Sequence, residues 1–174
     1  LFAGDKYADL SDEALFFIGG ILKHAQALNA ITNPSTNSYK RLIPNLEAPI
    51  AGMGKEVKIS NIVRVPHINK GDLDNSRIEF RLPDSACNPY LALAAILHAG
   101  MEGIKKGLVV PKNWESNIPN TLYDAIKESQ KGNFLQDAIG LDAYNSIVIN
   151  KEKEWIEHNL VVTDYERDFY MKFL

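Results

Sequence analysis

Arg77, Glu79 and Arg81 alternate with Ile78, Phe80 and Leu82. Side chains of an extended strand point to opposite faces in turn, so the charged trio shares one face and the apolar trio the other. The apolar face must meet a core. A carboxylate between two guanidiniums has two readings. It is a charge-compensated surface strand, or a site in which Glu79 offers oxygen to a hard cation such as Mg²⁺ while arginines grip phosphate and carboxylate around it. The distribution of arginine bears on the choice. The chain has five arginines among 19 basic residues, and Arg41, Arg64, Arg77 and Arg81 all fall between residues 41 and 81. Lysine cannot supply the planar two-pronged donor of arginine, so this clustering points to carboxylate or phosphate binding, with structural ion pairs as the competing reading.

Other reactive side chains carry less. His67, His98 and His158 are not at zinc spacing with one another or with Cys87. His24 reads as a packing residue on a helix, Cys87 as a small packing residue, and Tyr90, Trp114 and Trp155 as core or interface residues. The loop Asn33 to Ser38 has no phosphate-binding glycines, and its role is to position Arg41.

These residues must be held by elements legible in the pattern. Ser11 followed by Asp12 and Glu13 reads as a helix start, and apolar residues at Ala14, Leu15, Ile18, Leu22, Ala25 and Leu28 carry that helix to about residues 29 to 33. Residues 33 to 38 are a breaker cluster, and 42 to 54 read as irregular. Strands are expected from Ile62 to Val65 and from Arg77 to Leu82, each stopped by proline. Asn88-Pro89 opens a helix whose run Tyr90 to Leu97 is apolar on nearly every side, which predicts burial all round, and Lys105 and Lys106 close it before Gly107. Asn120 is expected to cap a helix over 121–130. Another is expected over 142–159, and Thr163 to Glu166 has the form of a capping box opening a last helix to Phe173. Helix, loop and strands, then helices, without βαβ alternation, predict an α+β fold of short antiparallel strands packed with several helices.

At 174 residues, 45% apolar and 24% charged, the chain is one domain's worth of globular sequence. A net charge of −3 offers no basic field for nucleic acid, and no uncharged apolar run reaches membrane-spanning length. The single cysteine fits a reducing, cytoplasmic setting.

Several stretches, in order and at family spacing, resemble the catalytic domain of type I glutamine synthetase. They are Gly19-Gly20-Ile21-Leu22-Lys23-His24-Ala25, Asn33 to Leu42, Glu47-Ala48-Pro49, Val63-Arg64-Val65-Pro66, Arg77 to Asp84, Asn88 to Ala92 and Val162 to Glu166. The resemblance implies a cytoplasmic, ring-forming homo-oligomer that uses ATP and Mg²⁺ (or Mn²⁺) to join ammonia to L-glutamate through a γ-glutamyl phosphate. It implies that Arg41 and Arg81 bind glutamate, that Arg64 and Arg77 bind ATP, and that Glu79 is a metal ligand. Glu47 resembles the flap acid that takes a proton from bound ammonium and shields the intermediate, a role chemistry requires because ammonium is unreactive until deprotonated.

Two positions depart from the family pattern. Ile59 stands where an arginine is usual, and Asp74 where a basic residue is usual. The family's glycine-rich segment with its His-x-His pair, and its smaller N-terminal domain, would lie upstream of Leu1. The chain therefore reads as the C-terminal part, residues 1–174, of one catalytic domain within a longer ligase, inactive by itself. A γ-glutamyl ligase using another amine and a non-catalytic relative serving assembly or regulation are the alternatives.

Overall fold

The computed structural model describes residues 1–42, 57–58, 62–66, 76–111 and 118–173. Glu47, His67, Trp114, Ile59 and Asp74, and most of the segment 42–54, lie outside these residues.

Ser11 starts the first helix, α1 (Asp12–Thr32), and its Oγ accepts a hydrogen bond from the Ala14 N–H at 3.1 Å. Ala14, Ile18, Ile21, Ala25 and Leu28 recur at helical spacing and are all buried. By length and hydropathy α1 equals a membrane span, but 67% of that window is buried within the protein. It is the central core helix.

Strands β1 (Val57–Lys58), β2 (Val63–Val65) and β3 (Glu79–Phe80) form a small antiparallel sheet in the order β1-β2-β3. The regular part of β3 is shorter than the alternation from Arg77 to Leu82 predicts. Pairing nevertheless continues, since the Arg81 N–H donates to the Ile62 carbonyl at 2.9 Å. Of the predicted apolar trio, Leu82 is fully buried, while Ile78 and Phe80 are partly buried against the core, Phe80 opposite the fully buried Val63.

Helix α2 (Pro89–Lys106) begins as its sequence dictates. Proline takes the first position, and Asn88 Oδ1 accepts from the N–H groups of Tyr90 and Leu91 at 3.0 and 3.3 Å. Gly107, at φ +59°, closes it in a left-handed conformation. It crosses α1 through glycines: a Cβ on Gly20 would collide with the Ala99 carbonyl, and one on Gly103 with the Phe16 carbonyl. The expectation of burial all round fails. Ala92, Ala95, Ala99, Gly100 and Gly103 are buried, but Tyr90, Leu93, Leu97 and Met101 are exposed along the opposite side, Tyr90 at 83%. One neighbouring helix face covers only one stripe, and among the described residues nothing covers the other.

The remaining helices are α3 (Leu122–Ser129), α4 (Phe134–Ile139), α5 (Leu141–Asn159) and α6 (Asp164–Tyr170). Thr121 rather than Asn120 caps α3, accepting from the Asp124 N–H at 3.1 Å. The six-residue α4 is too short to announce itself by periodicity. The Thr163–Glu166 capping box is closed in both directions, at 3.2 and 2.8 Å. The segment from Leu160 to Phe173 is exposed throughout, aromatic residues included. The fold is α+β.

Candidate functional site

The site is built on the β2–β3 pair. Its register sets Val63 opposite Phe80 and Arg64 opposite Glu79. Directly opposed residues present their side chains on the same face, so the two charges meet by construction. Arg64 Nε donates to Glu79 Oε2 at 2.7 Å, and its Nη2 lies 2.6 Å from the same oxygen as an ion pair. Arg77 Nε lies 3.5 Å from the other oxygen, Oε1. The hydrogen bond from Arg64, with the charges of Arg64 and Arg77, holds the Glu79 carboxyl below the usual range, against a smaller upward push from desolvation. Side-chain exposures of 33% for Arg64 and 30% for Glu79 place the pair at the protein surface. Arg81, two residues on, is exposed, and among the described residues its side chain has no ion-pair partner.

Arg41 is placed differently. Its Nη2 donates to the Leu82 carbonyl at 2.6 Å and to Asn33 Oδ1 at 3.2 Å. Asn33 is fully buried, and its Nδ2 donates to Asn29 Oδ1 at 2.6 Å and to Thr32 Oγ1 at 3.2 Å. The end of α1 thus aims Arg41 at the backbone just beyond Arg81. The Asp84 N–H donating to the Thr32 carbonyl at 2.8 Å ties down the same stretch. Burial raises the Asp84 carboxyl, but the Ala86 N–H at 2.9 Å, the Ser38 hydroxyl and the Arg41 charge outweigh it and leave it lowered. Arg41 Nε is buried without a partner among the described residues. The structure therefore brings Arg64, Arg77 and Glu79 into one contact and joins Arg41 to the Arg81 strand through the backbone.

A second polar cluster was invisible in the sequence. His24 stacks on Phe134 at 3.8 Å between centroids and 9° between planes. Its Nε2 is 2.9 Å from Glu102 Oε2, and Lys23 and Lys106 bond the other oxygen at 2.6 and 2.7 Å. Desolvation lowers the His24 pKa, partly opposed by Glu102, while Lys106, Lys23 and His24 hold Glu102 at about 2 in spite of its burial. The neutral imidazole then carries its proton on Nε2, since a carboxylate only accepts. A cavity of about 430 Å³ adjoins this cluster. Its lysines are already paired, Lys23 with Glu102 and Lys131 with Glu128, which makes it a structural gap rather than a charged receptor. The only hint in the sequence was the spacing of residues on three separate helices, which no local pattern connects.

As a cation site, the β2–β3 edge supplies oxygen donors of the correct hardness. Among the described residues no three potential ligands cluster. Glu79 is the carboxylate at this edge, and both its oxygens face guanidiniums.

The sequence model of the family described as "Glutamine synthetase, catalytic domain" matches residues 1–170. A glutamine synthetase of Methanococcus voltae is 40% identical, over 94% of this chain and 40% of its own length. One from Rhodobacter capsulatus is 61% identical over 60% of this chain and 24% of its own length. Among solved structures, a complex of GmaS with ADP superposes with a TM-score of 0.78 at 31% identity, covering 99% of this chain and 42% of the other. The chain thus spans less than half the length of these relatives.

Proposed function

The chain belongs to the glutamine synthetase catalytic-domain family, and from that premise we propose that it forms the C-terminal part of a catalytic domain in an ATP-dependent glutamate–ammonia ligase. The observation that carries this reading is the Arg64–Glu79–Arg77 contact on one sheet edge, with Arg81 next along the same strand. Transfer of the ATP γ-phosphoryl group to the glutamate side-chain carboxylate gives γ-glutamyl phosphate, and ammonia then displaces phosphate to form glutamine.

Little covalent chemistry is asked of the protein; most of its work is placing anions and countering their charge. In this reading Arg64 and Arg77 hold the nucleotide phosphates. Arg81 clamps the glutamate carboxylate with two parallel hydrogen bonds, and Arg41 supports it from the end of α1. Glu79 is one oxygen ligand for Mg²⁺ or Mn²⁺. When bound, that ion neutralises charge on the β- and γ-phosphates. Glu47 takes the proton from ammonium. The proposal extends to a cytoplasmic homo-oligomer, the setting in which the free thiol of Cys87 stays reduced.

The test is Arg81→Lys in the product of the longest reading frame that contains this chain. The charge stays and Glu79 is untouched, so the loss is geometric. We expect glutamate kcat/KM to fall by about 1.5–3 kcal/mol, the worth of a hydrogen bond to a charged group, with a much smaller change in the ATP KM. Equal shifts for both substrates would make Arg81 a structural residue. Offering methylamine beside ammonia decides the second reading, a γ-glutamyl ligase for another amine. The altered segment 51–61 leaves room for that reading, whereas Ile59 and Asp74, standing where basic residues are usual, favour a non-catalytic relative.

A further inference from the structure

We propose that Glu154 on α5 is a positioning residue for Arg41: its carboxylate anchors the short helix that carries Arg41, and so tunes the use of glutamate but not of ATP. The inference rests on the reading of Arg41 as a glutamate ligand and adds the residue that steadies it.

Arg41 closes a short 3₁₀ helix, Thr36–Lys40. Its own N–H donates to the Ser38 carbonyl at 3.3 Å, so the backbone of residue 41 moves with that helix. The guanidinium is pinned at the other end, on Asn33 Oδ1 and the Leu82 carbonyl. A shift of the helix must therefore be taken up by the Arg41 side chain or by its bonds. The first N–H groups of a helix have no partner within it. Ser35 answers one of them, its Oγ accepting from the Ser38 N–H at 3.2 Å. Glu154 Oε1 answers another, accepting from the Thr36 N–H at 3.0 Å across 118 positions of sequence. Lys151 Nζ lies 2.8 Å from the other oxygen, Oε2, and holds the carboxylate in this direction. A carboxylate bonded to the N–H groups of a helix start makes a charge-assisted hydrogen bond, stronger than a neutral one.

Other ties of this segment run elsewhere. The Tyr39 hydroxyl donates to the Asn29 carbonyl of α1 at 3.3 Å, and the Ser38 hydroxyl bonds Asp84 beyond β3. Tyr39 and Ser38 are buried, whereas the Glu154 side chain is 33% exposed. Loss of the Glu154 carboxylate should therefore loosen the start of the helix and leave its packed middle in place. Arg64 lies on β2 and Arg77 just ahead of β3, outside this helix, so the nucleotide end should be indifferent.

The experiment uses the product of the longest reading frame that contains this chain, with KM for L-glutamate and for ATP measured separately. Glu154→Ala should raise the glutamate KM about three- to tenfold and leave the ATP KM within about twofold of wild type. Glu154→Gln keeps an oxygen acceptor and should restore most of the loss. Thr36→Pro removes the same bond from its donor side. Proline suits the first helical position, and Ser35 before it is already extended at φ −132° and ψ 159°. This variant should match Glu154→Ala, and combining the two should add nothing further. Amide hydrogen exchange on the same protein gives a readout apart from turnover: residues 36–41 should exchange faster in Glu154→Ala and at the wild-type rate in Glu154→Gln. An unchanged glutamate KM, equal rises for both substrates, additive penalties or unchanged exchange overturns the positioning role. Arg41→Lys tests the site reading beneath it. If that variant leaves the glutamate KM unchanged, the reading of Arg41 itself fails. If it raises that KM while Glu154→Ala does not, the site stands and the positioning role falls.

Discussion

The α1–α2 contact and the β2–β3 edge are both needed to present the site, and they are held together by opposite means. Where α1 meets α2, glycines let two backbones touch, and Ile18, Ile21, Ala95 and Ala99 are buried without a polar group between them. The centre of that contact is apolar and close-packed, and the Lys23–Glu102 and His24–Glu102 pairs flank it at its edge. At the β2–β3 edge the regular strands are three and two residues long, and the decisive contact is an ion pair about one-third exposed. Such pairs contribute little stability. The difference teaches that the helical layer serves as scaffold while the sheet edge stays electrostatically unfinished, with Arg81 exposed and Glu79 Oε1 loosely held.

If that contrast is sound, the largest effect concerns activity. A site with one carboxylate cannot fix the ions that phosphoryl transfer needs, so the isolated chain should show no glutamate- and ammonia-dependent ADP release above a Glu79→Ala control. Measurable turnover would break the idea that the edge is incomplete.

Next in size is core disruption. Ile21→Ala empties a fully buried position and should cost about 2–5 kcal/mol by urea denaturation. Arg64→Gln should cost less than about 1 kcal/mol. Similar costs for both would erase the distinction between scaffold and site.

A smaller effect sharpens the comparison by pH. His24 and Glu102 lie in the scaffold, yet both have lowered pKa values. Between the native and unfolded values the unfolded chain binds more protons, so stability is full above the unfolded pKa and lost as pH falls. The loss should begin below 6.5 for His24, and for Glu102 it should run from 4.5 toward about 2. Glu102→Gln should remove about 1–2 kcal/mol of the lower limb, less than the full shift implies because Lys23 and Lys106 are about half exposed. Urea midpoints across pH 3 to 8 give the comparison.

Least in energy is the exposed stripe of α2. Leu97→Ser should change unfolding free energy by less than about 0.5 kcal/mol. Light scattering at micromolar concentration should nonetheless show the wild-type chain associated and the variant less so, because exposed apolar patches self-associate.

How much was legible depended on how local the cause was. Ser11, Asn88-Pro89, Gly107 and Thr163 each fix a helix end through bonds spanning three or four residues, and each end lies where the sequence placed it. The alternation from Arg77 to Leu82 likewise assigned the faces of β3 before any fold was known, because strand geometry forces it. The clustering of four arginines marked the region of the site. Other features had no local cause. The partner of Arg64 depends on a pairing register across fifteen residues, and the target of Arg41 is a carbonyl 41 positions away. Asn33, read only as part of a loop, is the buried acceptor that turns Arg41 toward the Arg81 strand. Burial of α2 on every side was the wrong inference from an apolar run, since composition says how much surface a helix wants covered but not what is present to cover it. The sequence by itself determined the helix ends at Ser11, Asn88-Pro89, Gly107 and Thr163, the faces of the strands and the chemistry of the side chains, because those follow from periodicity and short-range hydrogen bonds. Only the tertiary structure decided which charges meet and which apolar stripe stays open, because those depend on register and on neighbours that no sequence window contains.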